Sequence, residues 1–151
     1  VTPQNFTVSE GGRRLLESYL QELNPSLIFL RNALIEIHEL RLGKFEYIYS
    51  KRLTAFNNKY EECRLNFFRI SRKIETPDII LEGLSSPEDM GGYTQFIQMV
   101  DKDILRGFQY IEIIDRVLET KKQHVFNARS VFFSAAAILI SLISFLKTIP
   151  S

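Results

Sequence analysis

Ser130 to Leu146 reads S-V-F-F-S-A-A-A-I-L-I-S-L-I-S-F-L, and none of these residues is charged. Arg129 and Lys147 bracket the run. Its length, roughly 25 Å as a helix, lies at the short edge of what crosses a bilayer. Lys147 can lay its stem along apolar surface and keep its ammonium wet, so the stretch reaches about 20 residues at Ile149. Whether this segment sits in lipid or in a protein core decides what kind of molecule this is.

Upstream, the apolar period runs into this segment without a break. Ile97, Val100, Ile104, Phe108, Ile111, Ile114 and Leu118 recur at helical spacing. The same face continues in step through Val125, Ala128, Phe132, Ala135, Leu139, Leu142 and Leu146. One helix from about Thr94 to the end of the apolar run is expected.

Before it, residues 75–93 form the clearest break, punctuated by Pro77, Gly83, Pro87, Gly91 and Gly92. Ser86-Pro87-Glu88-Asp89 has the cap and first turn of a short helix that Gly91 and Gly92 should stop. Ile79, Ile80, Leu81 and Leu84 should pin this connection against the helices.

From Ser26 to Ile74 there is no proline and one glycine, Gly43. Leu27, Leu30, Leu34, Ile37, Phe45, Ile48, Tyr49, Phe56, Tyr60, Cys63, Phe67, Ile70 and Ile74 form a coiled-coil-like stripe, with a kink or break expected at Gly43. A shorter first helix is expected from about Gly12 to Leu23. Thr7, Ser9 and Glu10 supply its start signals and Asn24-Pro25 its end.

The fold class that follows is all-α: a short N-terminal helix plus two long antiparallel helices, the last continuing into a transmembrane segment. Residues 1–128 form the helical bundle, and 129–149 the apolar helix. Leu34, Ile37, Phe56, Tyr60, Phe67, Ile104, Phe108, Ile111 and Leu118 should hold the hairpin.

Composition excludes several classes. Apolar content of 45% and charge content of 25% belong to a folded chain. A net charge of +1 supplies no global field toward nucleic acid or membrane. The lone cysteine, Cys63, forms no internal disulfide, so a reducing compartment is the simpler reading. The chain opens on Val1, consistent with part of a longer protein, and no signal-peptide pattern precedes Arg13. Asn5-Phe6-Thr7 matches a glycosylation sequon but has no secretory context.

Opposite the apolar stripe, Ser130, Ser134, Ala137, Ser141 and Ser144 are all small and also fall at three-four spacing. In a membrane helix such a face lets a partner backbone approach, and serines hydrogen-bond across the contact. Ser134, Ala137, Ser141 and Ser144 are therefore the candidate helix–helix contact residues. Lys121, Lys122 and Arg129 precede the run with no acid after Glu119, which suits a cytoplasmic flank. The alternative is a buried core helix of a soluble protein. Antiparallel packing would then set the run beside Leu27–Leu40, whose Arg31, Glu36, His38 and Glu39 cannot enter lipid.

No residue pattern announces catalysis, a metal or a cofactor. His38 and His124 lack ligands at helical i−3 spacing. Glu112 and Asp115 share a helix face, but no nucleophile or phosphate loop accompanies them, and pairing with Arg116, Lys121 and Lys122 is the simpler role. Cys63 lies on the apolar stripe, where a thiol is inert. Arg64, Arg69, Arg72 and Lys73 interleave with Phe67 and Phe68, the minimum for a nucleic-acid surface, yet nearby acids would repel phosphate. Gly91-Gly92 is a turn signal and no phosphate loop.

The expected function is non-catalytic, with no small-molecule substrate or nucleic acid as partner. It is a membrane-anchored helical module that self-associates or recruits a helical protein, with its helical domain on the cytoplasmic side. The rivals are a pore-forming or membrane-disrupting effector and a soluble cytoplasmic helical-bundle adaptor or complex subunit.

Overall fold

The computed structural model describes residues 8–43, 50–76 and 86–148, with the side chains of Leu146 and Thr148 excepted. Asn5-Phe6-Thr7, Phe45, Ile48, Tyr49, Ile79, Ile80, Leu81 and Leu84 lie outside the described residues. The described chain is all-α, with helices α1 (Glu10–Glu39), α2 (Lys51–Glu75) and α3 (Pro87–Thr148). Among the described residues there is no strand.

Cross-helix contacts set the topology. Lys59 of α2 meets Glu36 of α1 at 3.6 Å, and Lys73 lies over the Tyr19 ring at 5.3 Å, so α1 and α2 run antiparallel. Phe67 meets Phe108 edge-on at 5.4 Å, and Arg129 donates to Ser50 Oγ at 2.9 Å, so α2 and α3 are antiparallel too. Ser9 meets Asp89 at 2.7 Å and Lys121 donates to the Leu40 carbonyl at 2.8 Å, so α1 and α3 run parallel. The result is an up–down–up three-helix bundle. Its core carries Leu16, Tyr19, Leu23, Leu30 and Ile37 from α1, Phe56, Tyr60, Phe67 and Ile74 from α2, and Phe96, Ile104, Ile114 and Leu118 from α3.

Two boundaries differ from the sequence reading and one agrees with it. Pro25 does not end α1, which continues to Glu39 and takes over Ser26–Glu39 from the expected second helix. Pro25 is exposed, while Leu23 and Leu30 on either side are buried, so burial holds the helix through a missing backbone hydrogen bond that faces water. Ser26 Oγ donates to the Glu22 carbonyl at 3.1 Å and supports the same turn.

Gly91 and Gly92 do not stop a short helix. Ser86 Oγ caps α3 by accepting from the Asp89 backbone N–H at 3.0 Å, and the helix then runs on unbroken. Two glycines cost about 1 kcal/mol each against alanine, less than burial of Tyr93 and Phe96 returns. At Gly43 the expected break does occur: α1 ends at Glu39, residues 40–43 are not helical, and α2 begins at Lys51.

The core position on α3 between Ile104 and Ile111 is Gly107, with Phe108 only half-buried beside it. A Cβ at Gly107 would lie 2.1 Å from Phe67 Cζ. The ring of α2 thus occupies the space that a side chain on α3 would fill.

Candidate functional site

The last core residue on α3 is Val125. Arg129, one turn on, makes the final described contact with the bundle through Ser50. From Ser130 the helix leaves the bundle and continues for about 27 Å as a rod whose described side chains are almost all exposed. Its 18-residue apolar window has a mean hydropathy of 1.8 and is 0% buried. Val131, Phe132, Phe133, Ile138, Leu139, Ile140, Leu142, Ile143 and Phe145 are each more than half exposed. One helix of this protein is therefore long and apolar enough to span a membrane. Moving these side chains out of water is worth on the order of 10 kcal/mol at about 1.5 kcal/mol or more each.

The pairing of this run with Leu27–Leu40, which the buried-core alternative required, does not occur among the described residues. Because α1 and α3 are parallel, that part of α1 packs on the stretch of α3 ending near Lys121. Ser134, Ala137, Ser141 and Ser144 all lie on this rod and are exposed. The small face and the large apolar face are both open.

The hairpin residues from the sequence reading occupy the bundle interior. Ile37, Phe56, Tyr60, Phe67, Ile104, Ile111 and Leu118 are buried, and Leu34 and Phe108 are half-buried against them.

The candidate chemical groups separate into structural roles. Tyr60 Oη donates to Asp115 Oδ1 at 2.8 Å, and Arg64 Nη1 meets Asp115 Oδ2 at 3.2 Å. Arg64 also reaches Glu61 at 2.8 Å. This cluster clamps α2 to α3. Burial first, and then its bond to the Asp115 carboxylate, push the Tyr60 phenol well above its ordinary pKa, so it stays neutral.

Glu112 pairs with Arg116 at 2.9 Å on the exposed face, the simpler role expected for it. Asp115 turns to Tyr60 and Arg64 rather than to Arg116 or the lysines. His38 and His124 are both exposed, and a ring nitrogen of His38 lies 2.7 Å from the Leu34 carbonyl. The Cys63 thiol is half-buried, and burial followed by the Glu62 charge pushes it up to about 11. Lys73 sits over Tyr19, and Arg69 and Arg72 are exposed. Among the described residues no group of three His, Cys, Asp or Glu side chains gathers in a way that would hold a metal.

At the opposite end from the rod, Asp89 joins two helix starts. Its Oδ1 accepts from the Ser9 backbone N–H at 2.7 Å, while Ser9 Oγ accepts from Gly12 N–H at 3.1 Å. The Ser9 backbone N–H, then the Ser9 and Ser86 hydroxyls, hold the Asp89 carboxyl below the usual carboxylate range. Its residue is 1% exposed.

The end from which the rod emerges has a different character. Sequence reading set Lys121, Lys122 and Arg129 beside the apolar run but did not bring Arg41, Lys51 and Arg52 there. The break between α1 and α2 does so: Leu40 is tied to Lys121, and Ser50 to Arg129. An excess of cations between residues 40 and 60 was the available signal. A groove of about 260 Å³ opens here between α2 and α3, lined by Ser50, Thr54, Asn57, Lys122, Phe126 and Arg129 among others.

No protein family model, characterised protein or solved structure matches this chain.

Proposed function

We propose that this chain is a membrane-anchored helical interaction module, in which the three-helix bundle is held at a bilayer surface by residues 130–147 and acts without catalysis. The single observation that carries this reading is the exposed apolar rod, 0% buried over its most hydropathic 18 residues. A helix that is apolar nearly all round needs a cover, and lipid supplies one along its whole length. The cations at its base support placing the bundle on the cytoplasmic side. Ser134, Ala137, Ser141 and Ser144 are the proposed contact face for a second copy or a partner helix in the membrane.

Membrane fractionation with carbonate washing tests the anchor. The full chain should stay in the pellet, and the chain lacking residues 129–151 should become soluble and folded. A full chain that is soluble on its own, with a truncated form that aggregates, would replace this reading with a soluble complex subunit. In that case another protein must cover the rod. Replacing Ser134 and Ser141 with Leu should weaken association in detergent, and an unchanged oligomer would remove the serine face from the proposal.

A second reading rests on the same serine face. Several copies arranged around it would line a polar path, making the protein a pore-forming effector. Ion leakage from cells or vesicles carrying the full chain, absent from the double leucine variant, would favour that reading over passive anchorage.

A further inference from the structure

We infer that the bundle end surrounding the base of the rod is a docking collar for anionic phospholipid headgroups. The inference rests on the membrane reading above and adds to it a lipid class and the residues that select it.

Charge is distributed unevenly along this chain. Residues 40–60 and 120–146 carry eight cations against one acid, Glu46, although the whole chain is only +1. The fold brings Arg41, Lys51, Arg52, Lys121, Lys122 and Arg129 to one end, with Glu39 and Glu119 exposed at its inner edge and Lys59 already paired with Glu36. Arg41 follows the carbonyl of Leu40 that holds Lys121, and Lys51 follows the Ser50 hydroxyl that holds Arg129. On α3 those two anchors are eight residues apart, or about 12 Å, so the cations form a shallow band just below the start of the apolar rod. Arg41, Lys51 and Lys122 are exposed in that band. A bilayer that receives the rod must place its headgroups at this level.

Local electrostatics point the same way. The N-terminus of α2 has no side-chain cap and no acid in its first turn, and it carries Lys51 and Arg52 instead. Cations at the positive end of a helix dipole are unfavourable, and a neighbouring anion relieves both. The groove between α2 and α3 has Lys122 and Arg129 on one wall and Ser50 and Thr54 on the other, all donors for phosphate oxygens. Asn57 Oδ1 at the same groove is buried and accepts no hydrogen bond among the described residues. Phe126, 66% exposed, stands at the groove mouth where the glycerol backbone would lie.

The test is a competition for vesicles. The full chain is offered together to phosphatidylcholine vesicles and to phosphatidylcholine vesicles containing phosphatidylglycerol, and the two populations are separated by flotation. At low salt the protein should favour the anionic vesicles by about tenfold or more, a preference that high salt removes. The variant Arg41→Gln/Lys51→Gln/Lys122→Gln should still float but divide equally. A control, Arg13→Gln/Arg69→Gln/Arg72→Gln, loses the same charge from the far end of the bundle and should keep the preference. Flotation without preference, or an equal loss in both variants, would overturn the collar while leaving the anchor standing. A chain that floats with neither population would overturn collar and anchor together.

Discussion

Gly107 shows how one residue can decide a helix contact. A methyl there would gain about 1 kcal/mol of helix propensity. It would also lie 2.1 Å from Phe67 Cζ, inside a ring that is 0% exposed and held edge-on by Phe108. Overpacking at such a site costs about 1–3 kcal/mol and here wins over propensity. Gly107→Ala should therefore lower the denaturation midpoint by about 2 kcal/mol of stability, and adding Phe67→Leu should return part of it. Additive losses in the double variant would deny the contact. In the sequence, Phe108 held the stripe position between Ile104 and Ile111, and Gly107 was not singled out. Periodicity could not reveal it, because the filling group comes from another helix.

Asp89 is the complementary case, a polar residue on which two helix starts depend. Its pKa is lowered in the folded chain, chiefly by the Ser9 backbone N–H. The unfolded state then binds the proton first as pH falls. The Asp89 contribution is complete above the ordinary carboxylate value of about 3.9 and is lost as pH drops from there through the lower folded value. Asp89→Asn should be less stable than the parent at pH 7, with the difference closing in acid. A constant gap across a urea titration series from neutral to acid would show that charge has no part in it.

At the scale of elements, local signals and tertiary burial disagree in a consistent direction. Pro25, Gly91 and Gly92 are all stop signals by propensity, yet helix passes through each. Leu23 and Leu30 flank the proline, and Tyr93 and Phe96 follow the glycines. The apolar stripe was the sound guide to where helix exists; the punctuation was misleading wherever buried residues lay on both sides. The described helix does end at Glu39, ahead of Gly43, and at Glu75, ahead of the proline- and glycine-punctuated stretch. Removing Pro25 should then stabilise α1. Pro25→Ala restores one backbone hydrogen bond and good propensity on an exposed face, worth up to about 3 kcal/mol. It gives up about 0.4–1 kcal/mol of unfolded-state restriction. A net gain of about 1–2 kcal/mol should appear as a higher thermal midpoint. A lower midpoint would mean that the Pro25 ring itself helps to seat Leu23 and Leu30.

The whole molecule is built of two parts that share one helix. Sequence periodicity was continuous from Ile97 to Leu142 and gave no sign of where the bundle stops. The same three-four pattern serves a protein neighbour and a lipid one, so its function was legible only as a choice between membrane and core. The structure adds the dividing line: burial ends at Val125, and from Val131 the described large apolar side chains on every face are exposed. The bundle should therefore owe nothing to the rod for its stability. A chain ending at Arg129 keeps every core residue, the Lys121–Leu40 bond and the Arg129–Ser50 bond. Its thermal and urea unfolding should match those of the full chain in mild detergent, within about 0.5 kcal/mol, the range of changes remote from a core. The denaturant slope should also be unchanged, since the slope follows the surface exposed on unfolding and the rod adds none. A truncated chain that unfolds earlier, or with a smaller slope, would mean that the rod folds back onto the bundle in solution. The band of cations would then guard a closed form in water, and entry into a membrane would require the rod to be released first.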